Sequence, residues 1–114
     1  MTRPAAAVLA PAMALLAGGC DAGMTDAPDN FTCAARLMAY AAAVRDGDIE
    51  HDRALFPAST MSVMYHLNAW AIPQGIGEPD AFAKVNAEAA RMREVSGAEE
   101  LIEGARWCVE NRPG

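Results

Sequence analysis

The residues best suited to chemistry in this chain of 114 residues lie in the polar run Asp46-Gly47-Asp48-Ile49-Glu50-His51-Asp52. On a helix, Asp48, His51 and Asp52 would share one face, and carboxylates with an imidazole can bind a divalent cation weakly. The run does not fit an EF-hand loop, because the positions that require glycine and glutamate hold His51 and Pro57. A solvated helix start, with acids favoured by the helix dipole, is the simpler interpretation. The sequence therefore predicts no firm metal site and only a weak candidate at these three residues.

Methionines offer a second possible site, because thioethers are ligands for Cu(I). Met61 and Met64 can converge at a spacing of three residues, but His66 would lie nearly opposite Met64 on a helix. Met38 and Met92 could join them only through the fold. Methionines at helical spacing usually fill a core, and we therefore expect packing rather than copper binding.

No catalytic arrangement accompanies these residues. The two histidines, His51 and His66, stand in no nucleophile motif. Glu99, Glu100 and Glu103 form a cluster typical of a helix start, and no partner suggests a perturbed acid. The segment Gly75-Ile76-Gly77 lacks the preceding strand of a phosphate-binding loop. The sequence predicts a protein that is not an enzyme, with no catalytic residue and no cofactor.

The first residues have the pattern of an export signal. Arg3 is the only charge before Asp21, and the residues between them include AAAVLAPAMALLAGG. A membrane-spanning helix needs about 20 apolar residues, so this run is short, and Pro11 interrupts it. A buried first helix is the alternative, but the run has no polar face. We predict a secretory signal peptide at residues 1–19.

The end of this segment, ALLAGGC, resembles the lipobox of bacterial lipoproteins, in which small residues precede a cysteine that is lipidated and becomes the mature N-terminus. Gly19 and Cys20 fit the pattern, whereas Ala17 stands where leucine is usual and Gly18 where alanine or serine is usual. The resemblance implies an acylated Cys20, membrane attachment and a location on the periplasmic side of the cell envelope. Ordinary cleavage nearby, for example after Ala22, would instead release a soluble periplasmic protein.

Cys33 and Cys108 remain once Cys20 is set aside, since the chain has three cysteines. An even pair in an exported chain is a disulfide candidate. Closing a loop of this length would stabilise the domain by on the order of 4 kcal/mol in the chain-entropy model. Two unpaired buried cysteines are the alternative. The sequence predicts a Cys33–Cys108 disulfide.

The pattern after residue 30 is helical, because apolar residues recur at steps of three and four and no stretch alternates with period two. We predict long helices at about 31–46 and 59–71, a third from about Pro79, a fourth from about residue 97, and a short helical turn at 49–55. The sequence Ser96-Gly97-Ala98-Glu99 predicts a capping box before the last helix. Short connections favour an all-α, four-helix up-down bundle, which brings Cys33 beside Cys108.

The tryptophans differ in their predicted environments. Trp70 lies on the inner stripe of its helix with Thr60, Val63 and Leu67, so we expect it in the core. Trp107 lies beside Cys108 but off the main stripe. Because tryptophan is enriched at binding hot spots, Trp107 is the candidate anchor for a protein partner.

Composition limits the partners further. The net charge is −6 at pH 7, and all fifteen acidic residues follow Cys20. An acidic surface repels phosphate, which argues against nucleic-acid binding and against peripheral attachment to anionic lipid headgroups. Small, polar and acidic residues make 20–30 a predicted flexible tether, and 31–112 is long enough for a single helical domain.

Together these features predict an exported, membrane-anchored helical protein of non-enzymatic role that binds another envelope protein. The alternative is a periplasmic carrier of a metal or small ligand. Small acidic helical proteins with a disulfide include periplasmic acid-stress chaperones and immunity proteins against secreted toxins. Phe31-Thr32-Cys33 before a helix resembles the chaperones, but a tripeptide assigns the mature domain to no family.

Overall fold

The structure, a computed structural model, describes residues 29–111. The predicted signal peptide, Cys20 and all but the last two residues of the predicted tether lie outside the described residues. So does residue 112, the predicted end of the domain.

The described chain is a helical bundle, and residues 29–111 contain no strand, which confirms the all-α prediction. Its α-helices are α1 (Asn30–Arg45), α2 (Leu55–Ala71), α3 (Glu78–Val95) and α4 (Ala98–Glu110), and one 3₁₀ turn follows α2 at Ile72–Gln74.

The helices alternate in direction. Phe31 at the start of α1 contacts Trp70 at the end of α2, with ring centroids 4.8 Å apart. Arg93 near the end of α3 pairs with Asp46 and Asp48, which follow the end of α1. The predicted up-down bundle is therefore confirmed. Within it, α1 is central, because it packs against α2, α3 and α4, whereas α3 and α4 contact each other little.

Alanine explains why α1 can have three neighbours. Its small side chains favour helix and let adjacent helices approach closely. The buried alanines of α1 are Ala34, Ala35, Ala39, Ala41 and Ala43. The helix begins where Asp29 Oδ1 accepts a hydrogen bond from the Thr32 N–H and ends before Gly47, whose φ of +83° suits a residue without a side chain.

The predicted disulfide is confirmed. The Sγ atoms of Cys33 and Cys108 are 2.13 Å apart and their Cα atoms 5.5 Å apart, and both residues are fully buried. The bond joins the first turn of α1 to the last turn of α4.

The predicted start of α2 is wrong. Residues 49–54 form no helix, and α2 begins at Leu55 rather than near Ser59. Pro57 is tolerated because it lies in the first turn, where a backbone N–H has no helical partner. Asp52 Oδ1 accepts hydrogen bonds from the N–H groups of Ala54 and Leu55, at 2.8 and 2.7 Å, and so caps the helix.

The extra helical turn lies after α2 instead of before it. Pro73, which cannot continue the α-helix, fits near the start of the 3₁₀ turn at Ile72–Gln74. The turn ends at Gly75, whose φ is +71°, and the Gly75 N–H donates to the Ile72 carbonyl.

The predicted capping box of α4 is only half formed and is displaced by one residue, because its N-cap is Gly97, which has no side chain to accept a hydrogen bond. Gly97 is the N-cap and its N–H donates to Glu100 Oε1 at 3.3 Å. Ser96 instead ends α3, because its N–H donates to the Met92 carbonyl. Ser96 and Gly97 are both acceptable cap residues, and the bond to Glu100 rather than Glu99 sets the register.

Candidate functional site

The weak metal candidate is not assembled as a helix face, because Asp48, His51 and Asp52 lie in a loop. Asp48 pairs with Arg93 at 2.9 Å, Asp52 caps α2, and the His51 ring lies 5.0 Å from that of Phe56. Within residues 29–111, no group of three or more His, Cys, Asp or Glu side chains is placed to hold a metal ion.

His51 and Asp52 instead line a small cavity of about 230 Å³ with Tyr40 and Arg106. Tyr40 is fully buried, and its hydroxyl has no hydrogen-bond partner among the described residues. Burial, and then the charge of Asp52, raise the pKa of Tyr40. Hydrogen bonds from the first N–H groups of α2, and then Arg106, lower the pKa of Asp52. The phenol therefore stays neutral and the carboxylate charged at neutral pH, which suits structure rather than acid–base catalysis.

The methionines do not converge with a histidine. Met38 and Met64 line one groove, Met92 lines another, and Met61 is 76% exposed. His66 is fully buried inside the bundle. The Cu(I) arrangement considered from sequence is therefore not present among these residues.

Sequence reasoning missed the role of His66. Its Nε2 lies 3.0 Å from the Cys108 carbonyl, and its Nδ1 lies 2.8 Å from Asn30 Oδ1. Because a carbonyl can only accept, Nε2 must donate to it. The side chain therefore links α2 to the start of α1 and the end of α4, beside the disulfide. Ser62 and Ser59, one and two turns before it, are also buried, whereas the expected inner residue Thr60 is exposed.

A groove of about 500 Å³ runs between α2 and α3, and α1 forms its floor. We call it the α2–α3 groove. Alanines form part of the floor on α1 and part of the wall on α3, and they are too small to fill the seam between the two outer helices. Apolar side chains border it, and arginines lie at one end. The lining includes Met38, Ala41, Ala42, Arg45, Val63, Met64, Phe82, Ala89, Ala90 and Arg93.

A second groove of about 480 Å³ lies between α3 and α4, and we call it the α3–α4 groove. Its apolar lining includes Met92, Val95, Leu101 and Trp107. Val95 is 68% exposed, and Trp107 is half-buried. This groove contains Trp107, the residue predicted as a partner anchor.

Gly104 shapes the α3–α4 groove by allowing an arginine to lie across it. A Cβ atom at Gly104 would be 3.2 Å from Arg36 Cδ, closer than the usual contact. The arginine stem therefore lies against bare backbone. Among residues 29–111, Arg36 makes no ion pair, so its guanidinium is available to an incoming group.

Trp107 is held in place from both sides. The next residue, Cys108, is bonded to α1, and the backbone N–H and side-chain amide of Asn111 both donate to the Trp107 carbonyl, each at 2.9 Å. The end of α4 is therefore fixed where the tryptophan borders the groove.

No protein-family model matches the chain, and no curated protein or solved structure is significantly similar to it. In the part of the chain that the structure describes, no helix has both the length and the apolar character needed to cross a membrane. The interpretation of the site therefore rests on its geometry.

Proposed function

We propose that the protein is a small exported binding protein without catalytic activity. Acylated Cys20 holds it at the periplasmic side of the bacterial envelope, and the α3–α4 groove binds another envelope protein. The observation that carries this proposal is the position of Trp107, fixed beside the disulfide in an open groove next to the exposed Val95.

The lining of the groove suits a protein partner. Protein interfaces have an apolar centre and a polar rim, and tryptophan is enriched among the residues that dominate binding. Here Trp107 and Val95 supply the apolar centre, and charged residues surround it. Arg91 is already paired with Glu88, whereas Arg36 can receive a carboxylate of the partner.

Rigidity of α4 also favours binding. Ordering flexible segments on association lowers affinity. Because the disulfide ties the backbone beside Trp107 to α1, the end of α4 is already ordered before the partner arrives. A partner-binding role thus gives the disulfide a purpose beyond stabilising the fold.

Export is supported by features that are independent of the groove. Disulfides persist in oxidising compartments such as the periplasm, and the Cys33–Cys108 bond is present in the structure. The leader and the lipobox-like segment before Cys20 supply the route and the anchor. An inhibitor of the lipoprotein signal peptidase is expected to cause precursor accumulation. Unchanged processing would instead indicate ordinary cleavage and a soluble protein.

Site-specific photo-cross-linking of the intact protein in cell envelopes tests the proposed groove. A cross-linking residue at Val95 should yield a defined adduct with one protein. The same residue at Lys84, which is exposed on α3 but does not line the groove, is the control. The Trp107→Ala variant should lose the Val95 adduct, and the Arg36→Ala variant, which leaves the apolar centre intact, should reduce its yield. Equal labelling from both positions would contradict the proposal.

A small-ligand carrier remains the second candidate function, and the α2–α3 groove favours it. Its volume of about 500 Å³ falls within the range of small-molecule pockets. Met38, Met64 and Phe82 give it adaptable apolar walls. A metal carrier has less support, because the methionines and His66 do not converge.

An apolar fluorescent dye tests the carrier. Ala90→Phe would fill the α2–α3 groove, whereas Ala87→Phe, at an exposed position of the same helix that does not line it, is the matched control. A carrier should lose dye binding in the first variant only. Loss in neither variant would remove this candidate function.

A further inference from the structure

The outer face of α2 differs from the exposed faces of α3 and α4. Ala54 to Gly77, the segment that contains α2, includes no Asp, Glu, Lys or Arg. Exposed charges lie along the other two helices, for example Lys84 and Glu103. Two large apolar side chains nevertheless project from this region into solvent, since Met61 is 76% exposed and Ile72 is 69% exposed.

The spacing of these residues is that of a helix-pairing seam. Met61, Tyr65, Asn68 and Ile72 follow one another at steps of four, three and four, the spacing of the contact positions in a coiled coil. Tyr65, Asn68, Ala69 and Ile72 also border one shallow concavity on the surface. Their spacing of i, i+3, i+4 and i+7 is the arrangement that receives a single side chain from a facing helix. We call these five residues the α2 seam.

The net charge of the chain indicates which partner the α2 seam can bind. Two copies of a chain with a net charge of −6 repel each other across most of their surfaces. Two copies can approach without this repulsion only where the surfaces that meet are uncharged. The outer face of α2 is such a surface. An anionic bilayer would repel a chain with a net charge of −6, so a lipid surface is less suited to the seam.

We propose that α2 is a self-association surface, on which a second copy of this chain packs its own α2 in antiparallel orientation. Met61 of one copy enters the concavity bordered by Asn68 and Ile72 of the other, and the same contact is repeated by symmetry. A two-fold interface of this kind is self-complementary and closes as a dimer. The surface is separate from the α3–α4 groove. A dimer therefore leaves the α3–α4 groove of each copy open to a partner.

The dimer should be weak in solution. The 17 residues of α2 span about 25 Å at a rise of 1.5 Å per residue. One helix pair of this length is small beside the roughly 1,200–2,000 Å² buried in stable interfaces. Lipid anchoring would strengthen the dimer by raising the local concentration of the two copies.

Sedimentation equilibrium of the exported chain measures this association. Cys20→Ser removes the third thiol and its adventitious disulfides. The Cys20→Ser protein should show a concentration-dependent monomer–dimer equilibrium. In this background, Met61→Glu should weaken the association at least tenfold. Val95→Glu is the matched control, because Val95 is similarly exposed but lies outside α2. A monomer at all concentrations, or equal weakening by both variants, would overturn the proposal.

Cysteine cross-linking tests the antiparallel register. In the same background, Met61→Cys mixed with Asn68→Cys should form an intermolecular disulfide, whereas Met61→Cys mixed with Lys84→Cys should not. Equal cross-linking of the two mixtures would exclude the register. If the protein stays monomeric but binds phosphatidylcholine vesicles in a manner abolished by Met61→Glu, then the α2 seam meets lipid and the dimer is excluded.

Discussion

The α2–α3 groove and the α3–α4 groove have similar volumes, about 500 and 480 Å³, and α1 contributes to both. Their walls differ. Alanines and flexible methionines form much of the first, and the guanidinium of Arg93 near its end is already paired with Asp46 and Asp48. The second is bordered by Trp107, whose backbone a neighbouring disulfide holds in place, and by Arg36, which makes no ion pair within residues 29–111.

The difference shows how one helix arrangement can create two kinds of surface. Outer helices that pack on a common central helix leave seams between them, and only long side chains can close those seams. A seam with small and flexible walls adapts to varied apolar groups. A seam bordered by an aromatic residue on a fixed backbone, with a charged rim, favours one complementary partner. The position of the disulfide therefore distinguishes the grooves more than their size does.

Removing the disulfide should have the largest effect. Replacing Cys33 and Cys108 by serine opens a loop with a sequence separation of 75, and we expect a loss of about 4 kcal/mol of stability. Urea unfolding measures it. At temperatures where the variant remains folded, the cross-link at Val95 should weaken more than dye binding in the α2–α3 groove. Equal unfolding midpoints with and without the bond would contradict the expected stabilisation.

Replacing His66 should have the next largest effect. His66→Phe keeps a buried ring but removes hydrogen bonds to Asn30 and the Cys108 carbonyl. A buried polar group without a partner costs about 1–3 kcal/mol, and the bond to Asn30 is only partly buried, so we expect a loss of about 2–3 kcal/mol in urea unfolding. Ser59→Ala is the control, because the buried Ser59 hydroxyl has no partner among residues 29–111. A loss no greater than that of Ser59→Ala would show that the His66 bonds contribute little.

Adding a methyl group at Gly104 should affect binding in the α3–α4 groove but not in the α2–α3 groove, with a smaller change in stability. Gly104→Ala favours helix by about 1 kcal/mol but forces the Arg36 stem to move, because the new Cβ would lie 3.2 Å from Arg36 Cδ. These effects oppose each other, so thermal stability should change by less than about 1 kcal/mol. Val95 cross-linking should fall while dye binding is unchanged. Equal loss from both grooves would indicate a wider rearrangement.

The helical fold and the disulfide could be predicted because they depend on local and countable features. Apolar spacing of three and four indicates helices, and an even number of remaining thiols after a predicted export signal indicates a pair. The start of α2 could not be predicted in this way, because Pro57 is compatible with either the end of a loop or the first turn of a helix. Likewise Ser96 and Gly97 are both suitable caps, and only the bond from Gly97 to Glu100 decides between them.

The site was less predictable because it depends on contacts between distant segments. Trp107 could be identified as a surface candidate from its position off the inner stripe. The groove beside Trp107 could not be predicted, because the width of the groove depends on how little α3 and α4 contact each other. His66 was missed because a polar residue type suggests exposure, whereas its partners lie 36 and 42 residues away in sequence.

Tyr40 provides the smallest expected effect, because it lies in neither groove. Its buried hydroxyl has no partner within the described part of the chain, so Tyr40→Phe should be neutral or stabilise by up to about 1 kcal/mol at pH 7.

The folded-state pKa of Tyr40 is raised by burial. Its contribution to stability is therefore complete below about pH 10 and is lost as the pH rises through the raised value. The variant has no phenol to ionise, so its urea midpoint should fall less above pH 10, while binding in both grooves stays unchanged. An equal alkaline loss in the variant and the wild type would show that other groups control unfolding in base.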